Sequence, residues 1–209
     1  MIKLIWATPN IDEQIAYIAR VSNPANQNNA NIEKLLLYMM DHGHVSPFEM
    51  ASACIEINTT RDIARQMLRH RSFSFQEFSQ RYQSSDHLPT ADYRECRMQD
   101  TTNRQNSIPC ADSEKKMLWQ DIQKQVVMQN FRFYEYALSQ GIAKEVARAL
   151  LPEGLTSSRL YMAGTMRSWI HYLKQRLDSS TQKEHRLIAE QILALFQSIA
   201  PITIKAIQG

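Results

Sequence analysis

Apolar side chains along this chain keep a period of two in some stretches, a helical period in others, and in one long stretch no period at all. Ile2 to Ala7 is a short β-rich run and predicts a strand. Ile11, Ile15, Ile18 and Val21 then recur at helical spacing, so a helix opened by Asp12 is expected. A second helix has Leu35, Leu36, Met39 and Met40 on its buried side, Asn31 as its candidate cap and Gly43 just past its end. His44 to Glu49 reads as a turn. Met50 to Asn58 alternates as a strand, and Thr60 stands where it would cap a helix carrying Ile63, Met67 and Leu68.

From Gln83 to about Asp112 the periodicity disappears under Ser, Asp, Thr, Asn, Gln and Pro. An aperiodic connection of that length is commonly functional, so it is expected to be an insertion lying over a site, not a linker between two cores. Amphipathic helices follow at about 114–139 and 142–151, the second ended by Pro152. Leu155 to Gly164 predicts a strand, and about 166–177 and 181–199 predict two more helices. Strands and helices mix without βαβ alternation. The expected class is therefore α+β, one domain over 1–209, with a central helical layer on a small mixed or antiparallel sheet and a long insertion at about 83–112.

Composition narrows the function classes. The 209 residues are 44% hydrophobic and 22% charged, enough to build a core. A net charge of only +3 lacks the clustered excess usual in nucleic-acid binders. Cys54, Cys96 and Cys110 form no CxxC pair and no paired His/Cys spacing, so no metal site and no disulfide framework is expected. The start MIKLIWATPN lacks a signal-peptide core, and no apolar run reaches membrane-spanning length. A cytoplasmic protein without membrane or nucleic-acid partners is expected.

The densest chemistry lies between Gln66 and Tyr82. Arg69, His70, Arg71, Glu77, Ser79 and Arg81 are set among Phe73, Phe75 and Phe78. Arginine forks bind phosphate or carboxylate oxygens in bidentate fashion, and apolar neighbours strengthen each contact by lowering the local dielectric. The same cluster would also serve as a stacking platform for single-stranded nucleic acid, which the low net charge disfavours. Ser79 has no adjacent His and Asp to activate it as a nucleophile, so a hydrogen-bonding role is expected.

Arg69-His70-Arg71, followed after seven residues by Ser79 and then by Arg81, resembles the signature of flavin-dependent thymidylate synthases. His42 to Glu49 resembles that family's histidine-rich turn, and Arg148-Ala149-Leu150-Leu151-Pro152 its Arg-x-x-Leu-Pro helix end. Arg167-Ser168, leading to Arg176-Leu177-Asp178-Ser179, is similar to the segment that closes its nucleotide site. The resemblance implies methyl transfer to dUMP, with the methylene group from 5,10-methylenetetrahydrofolate and hydride from reduced FAD regenerated by NADPH. It also implies a homotetramer with sites at subunit boundaries and no metal.

By matching position, Gln66, Met67, Leu68, Arg69, Glu77, Phe78, Ser79, Gln80, Arg81, Arg148 and Arg176 are implied dUMP contacts. His44, Ser46, Arg69, His70, Arg71, Glu77, Thr165, Arg167 and His171 are implied FAD contacts. Arg176 is the implied catalytic residue, stabilising an N3-deprotonated uracil whose C5 is electron-rich. Three positions depart from the family pattern. Gln76 and Thr165 stand where Asn is usual, and Met50, expected to face the core, stands where His is usual. The departure at Thr165 leaves room for a second reading, a catalytically weakened flavoprotein relative.

Overall fold

In the computed structural model, residues 1–84 and 93–208 are described, excluding the side chains of Ala206 and Gln208. The chain opens with β1 (Ile2–Ala7), α1 (Ile11–Ala19), α2 (Glu33–Asp41), β2 (Ser52–Thr60), α3 (Arg61–Met67) and β3 (Ser74–Glu77). It continues with β4 (Arg97–Gln99), β5 (Ser107–Pro109), α4 (Ser113–Ser139) and α5 (Lys144–Ala147). β6 (Ser157–Thr165), α6 (Met166–Arg176), α7 (Lys183–Ile199) and α8 (Pro201–Gln208) complete it. The main sheet has the order β1-β2-β6-β3, and β1 runs antiparallel to β2 from Ile2↔Ile57 to Ala7↔Ala53. The expected α+β class is what is found.

The chain divides into two compact units. The first comprises Met1–Ile57, His70–Gln76 and Tyr161–Gly209, and the second Asn58–Arg69 and Glu77–Leu160. In the first, Ile11, Ile15, Leu36, Phe48, Trp169 and Phe196 are fully buried. Asp12 is buried with them, and its carboxylate accepts from the Ile202 amide (2.8 Å), the Thr203 amide (3.1 Å) and the Thr203 hydroxyl (2.6 Å). A carboxylate there satisfies the orphan donors that open α8 and complements the helix dipole.

In the second unit α4 runs for 27 residues, about 40 Å at the usual helical rise. The Asp112 side chain caps it by accepting from the Glu114 and Lys115 amides. Tyr134, Ala137 and Ala147 form a small core with Leu138 and Leu151 packed on it. The Arg94 guanidinium reaches the Asp62 carboxylate (2.8 Å) and the Thr60 hydroxyl (2.6 Å), and Gln123 clasps the Arg94 backbone at both its amide and its carbonyl.

Several expectations are corrected. α1 begins at Ile11 on a left-handed Asn10 and ends at Ala19, so Val21 lies beyond the stripe and is 68% exposed. Ile32, not Asn31, precedes α2, and Asn31 is held instead by the Asn29 side chain and by Arg20. Met50 closes a 3-10 turn, Ser46–Met50, in which Phe48 takes the core position. Met50 is consequently 59% exposed and does not face the core. Thr60 does precede α3, but its hydroxyl donates to Asp62 instead of capping a backbone amide. The helix expected at 142–151 shrinks to α5 and a 3-10 turn at Arg148–Leu150, after a left-handed Gly141. A 3-10 turn at Glu153–Leu155 delays β6 to Ser157, and α8 was not foreseen. Of the insertion at 83–112, residues 85–92 lie outside the described residues. The remainder contains the β4–β5 ribbon, whose connection is gathered by the Asp100 carboxylate accepting from Thr102, Asn103 and Asn106.

Gly164 is required by packing. A Cβ there would lie 2.5 Å from Cδ1 of Phe73, whose ring is buried and makes an edge contact with Trp169 at 4.7 Å. Gly164→Ala must push that ring into a filled core, and about 1–3 kcal/mol of stability should be lost. A denaturant midpoint equal to that of the parent, at the same slope, would show that Phe73 has room to move.

Candidate active site

α6 organises the first unit's chemistry. Thr165 ends β6 and precedes the helix, where its hydroxyl accepts from the Ser168 amide at 3.3 Å. Threonine in place of the usual asparagine thus still caps. The first turn of α6 carries no acidic residue, so the positive end of its dipole is uncompensated from within the helix. Beside it opens a pocket of about 600 Å³ whose lining includes Ser72, Thr165, Arg167, Ser168, His171 and Lys174. Among the described residues Glu49 contributes the only carboxylate of that lining, and it pairs with Arg167. His171 is exposed and lies 3.0 Å from the Gln175 amide.

Cations, hydroxyls and a helix N-terminus together suit an anionic ligand. Of the implied flavin residues, the structure brings Thr165, Arg167 and His171 together in this pocket. Val45 also lines it, and His44 and Ser46 flank Val45 in the chain, both exposed. His44 meets Tyr38 edge-on at 6.1 Å, and Tyr38 stacks on His42 at 3.9 Å. Arg71 is exposed.

Arg176 closes α6, and its Nε–H donates to Nε2 of His70 at 2.9 Å. That bond requires His70 to be neutral, with its own proton on Nδ1. His70 is buried, edge-on to Tyr172 at 5.0 Å, and the Tyr172 hydroxyl lies 3.1 Å from Nε2 of the fully buried His185. Burial first, then the Arg176 charge, lowers the His70 pKa to about 4. The same causes, in the same order, lower His185 to about 3. Burial raises Tyr172 well above the ordinary phenol value. Among the described residues no carboxylate pairs with Arg176. Its cation is therefore oriented by an uncharged imidazole and keeps its full attraction for an anion.

Sequence reasoning missed Tyr172 and His185. The available signal was the apolar stripe of α7, in which His185, Ile188, Ala189 and Ile192 all fall on the buried face. A histidine inside such a stripe needs a buried partner.

The remaining candidates belong to the second unit. Gln66 and Leu68 are half-buried, Met67 is buried in the core, and Arg69 is exposed just beyond α3. The Glu77 carboxylate accepts from the Ser158 hydroxyl at 2.6 Å and has the Arg61 guanidinium at 3.8 Å. The Phe78 amide donates to the Arg159 carbonyl, Gln80 is buried and Ser79 is exposed. Arg81 pairs with the Glu145 carboxylate at 3.2 Å, and Arg148 donates to the Glu145 carbonyl at 3.3 Å. Arg81 thus meets the side chain of Glu145, and Arg148 the backbone of the same residue.

Comparison with known proteins gives the family. The family described as thymidylate synthase complementing protein matches residues 3–202. A flavin-dependent thymidylate synthase of Synechocystis sp. is 48% identical over 194 residues, covering 93% of this chain and 88% of that protein. A probable flavin-dependent thymidylate synthase of Paramecium bursaria Chlorella virus 1 is 45% identical over 197 residues, covering 94% and 90%. The crystal structure of the UMP/dUMP methylase PolB from Streptomyces cacaoi, bound with 5-Br dUMP, aligns with a TM-score of 0.86 at 25% identity, covering 100% of this chain and 94% of that one. On motif, fold and relatives alike, the chain belongs to the thymidylate synthase complementing protein family, that of the flavin-dependent thymidylate synthases.

Proposed function

We propose that this chain, as one domain over 1–209, is a methyltransferase that converts dUMP to dTMP, with FAD as its cofactor. The co-substrates in this reading are 5,10-methylenetetrahydrofolate for the one-carbon unit and NADPH for the electrons. When bound, FAD supplies the hydride that completes the methyl group. The observation that carries the reading is the cationic pocket at the start of α6. Its Arg167, Lys174 and His171 side chains, with Ser72 and Ser168, match the negative pyrophosphate and polar ring edge of a flavin dinucleotide in charge and hydrogen-bonding character.

The chain's own residues then have separable tasks. Arg167, His171 and Thr165 hold the cofactor, with His44, Ser46, His70 and Arg71 as further contacts. Arg81 and Arg148 hold the nucleotide phosphate, while Gln66, Arg69, Glu77 and Ser79 orient the nucleoside. The Arg176 guanidinium stabilises negative charge on the uracil ring and so raises the nucleophilicity of C5. The exposed apolar side chains of α4, among them Met117, Leu118, Met128 and Tyr136, support a homotetramer, since patches of this kind are normally covered. The reading includes a cytoplasmic location; among the described residues no helix is long and apolar enough to cross a membrane.

Purified protein should be yellow or take up added FAD, and should release tritium from 5-labelled dUMP when folate and NADPH are supplied. Colourless protein that binds no FAD would sink the reading. Arg167→Ala should weaken FAD about 10- to 100-fold, because it removes a charge-assisted contact and leaves Glu49 unpaired in the pocket. An unchanged FAD dissociation constant would move the cofactor's anionic part elsewhere.

A further inference from the structure

Cys96 and Cys110 stand at the open end of the β4–β5 ribbon, each one residue outside its strand. The ribbon pairs Arg97 with Pro109, Met98 with Ile108 and Gln99 with Ser107. Carried one residue outward, that register sets Cys96 against Cys110. Directly opposed residues of an antiparallel pair have Cα atoms about 4.5–5.5 Å apart, within the roughly 4.4–6.8 Å that a disulfide accepts. Side-chain alternation puts both cysteines on the face shared by Met98 and Ile108. Both thiols are free, and the Cys110 thiol is near enough to raise the pKa of Cys96. The Cys110 thiol also donates to the Asp112 carbonyl at 3.6 Å. Accessibility differs between them: Cys96 is half-exposed and Cys110 is buried.

We propose that Cys96 and Cys110 are a redox modification site, forming a reversible intrachain disulfide by exchange with a low-molecular-weight disulfide of the glutathione class. Cys96, the more accessible of the two, loses its proton to solvent, and its sulfur attacks one sulfur of the small disulfide. One small thiolate leaves, and a mixed disulfide remains on Cys96. The buried Cys110 then loses its proton, attacks the Cys96 sulfur and expels the second small thiolate. Two protein thiols are oxidised to one disulfide, one small disulfide is reduced to two thiols, and the two protons end on the leaving thiolates.

The bond staples the two chain segments by which the ribbon is anchored. Arg94, two residues before Cys96, is held on Asp62 in the first turn of α3. Asp112, two residues after Cys110, caps α4. Closing the segment between them removes freedom from the unfolded chain and holds both anchors at one separation. Partial burial, followed by the Cys110 thiol, raises the Cys96 pKa above the ordinary thiol value, with the Asp112 charge adding to it and the Lys116 charge opposing it. Exchange should therefore be slow at neutral pH and speed up as pH rises.

The proposal does not depend on the catalytic reading, and its test uses no activity. The full-length protein is incubated with oxidised glutathione, alkylated in denaturant, weighed intact and peptide-mapped. Alkylatable thiols should fall from the three of the sequence to Cys54 alone, with one peptide pair joined through Cys96 and Cys110. Dithiothreitol should restore all three. Cys110→Ser, which cannot resolve the intermediate, should instead accumulate a glutathione adduct on Cys96. Three thiols persisting in the parent, an unresolved adduct on its Cys96, or a cross-link through Cys54 would each overturn the proposal.

Discussion

Arg176→Ala should lower turnover at least a hundredfold, by about 3 kcal/mol or more of transition-state stabilisation, while leaving FAD bound. The guanidinium is fixed at the end of α6 by one neutral imidazole acceptor and meets no carboxylate among the described residues, so its charge is not spent on the protein. Alanine removes the charge expected to stabilise the anionic uracil and leaves Arg167, His171 and Lys174 of the cationic pocket in place, since Arg176 is not part of its lining. Arg176→Lys should rescue little. A lysine ammonium is a point charge on a flexible stem, and it cannot donate to His70 while presenting a planar fork to a second ligand. Tritium release from 5-labelled dUMP, measured beside FAD absorbance, checks both halves. Normal turnover by the alanine variant would remove Arg176 from the chemistry.

The second large effect is acid destabilisation. His70 and His185 are held neutral in the folded protein, with pKa values near 4 and 3 against an ordinary value of 6.5. Below 6.5 the unfolded chain takes up protons that the folded chain refuses, so stability falls as pH falls. The contribution is fully present above pH 6.5 and is lost progressively down to about pH 4 and then 3, for a total on the order of a few kcal/mol. Protonating His70 would also put a cation against Arg176 and remove the acceptor of its Nε–H. Denaturant unfolding between pH 7 and 5, where most carboxylates stay ionised, isolates the effect. His70→Gln with His185→Gln keeps polar acceptors without the titration, so stability should become nearly flat across that window. An unchanged pH slope in that double variant would assign the acid sensitivity to other groups.

How much of this was legible varies by residue. α4, α6 and α7 start and stop within about two residues of their periodic patterns, because each has a cap or a breaker in its own sequence: Asp112, Thr165 and Ala200-Pro201. Met50 was misread because alternation cannot tell a strand's first residue from a 3-10 turn's last, and Phe48 had already filled the core position. Asn31 and Thr60 are good cappers by type, but Asn31 stops one residue short of the cap position with its backbone held by Asn29 and Arg20, and the Thr60 hydroxyl donates to the Asp62 carboxylate. The ribbon at 97–109 carries too few apolar residues to register as strands, and Asp100 holds it by polar bonds at its connection.

The candidate site divides along the same line. Arg69-His70-Arg71 with Ser79 and Arg81, the Arg148 segment and the Arg167–Arg176 segment are visible in the sequence because spacing along the chain is itself the signal. That is why the sequence by itself determined the family, the α+β class and the inventory of arginines available to an anion. Only the tertiary structure decided how each arginine is held: Arg167 by Glu49, Arg81 and Arg148 at Glu145, and Arg176 by a buried histidine with Tyr172 and His185 behind it. It also decided that Cys96 faces Cys110. Apart from Arg148 and Glu145, which share a turn, these partners are separated in sequence by 13 residues to more than a hundred. Nothing in local propensity encodes such pairings, because long-range register and burial are set only when the whole core packs.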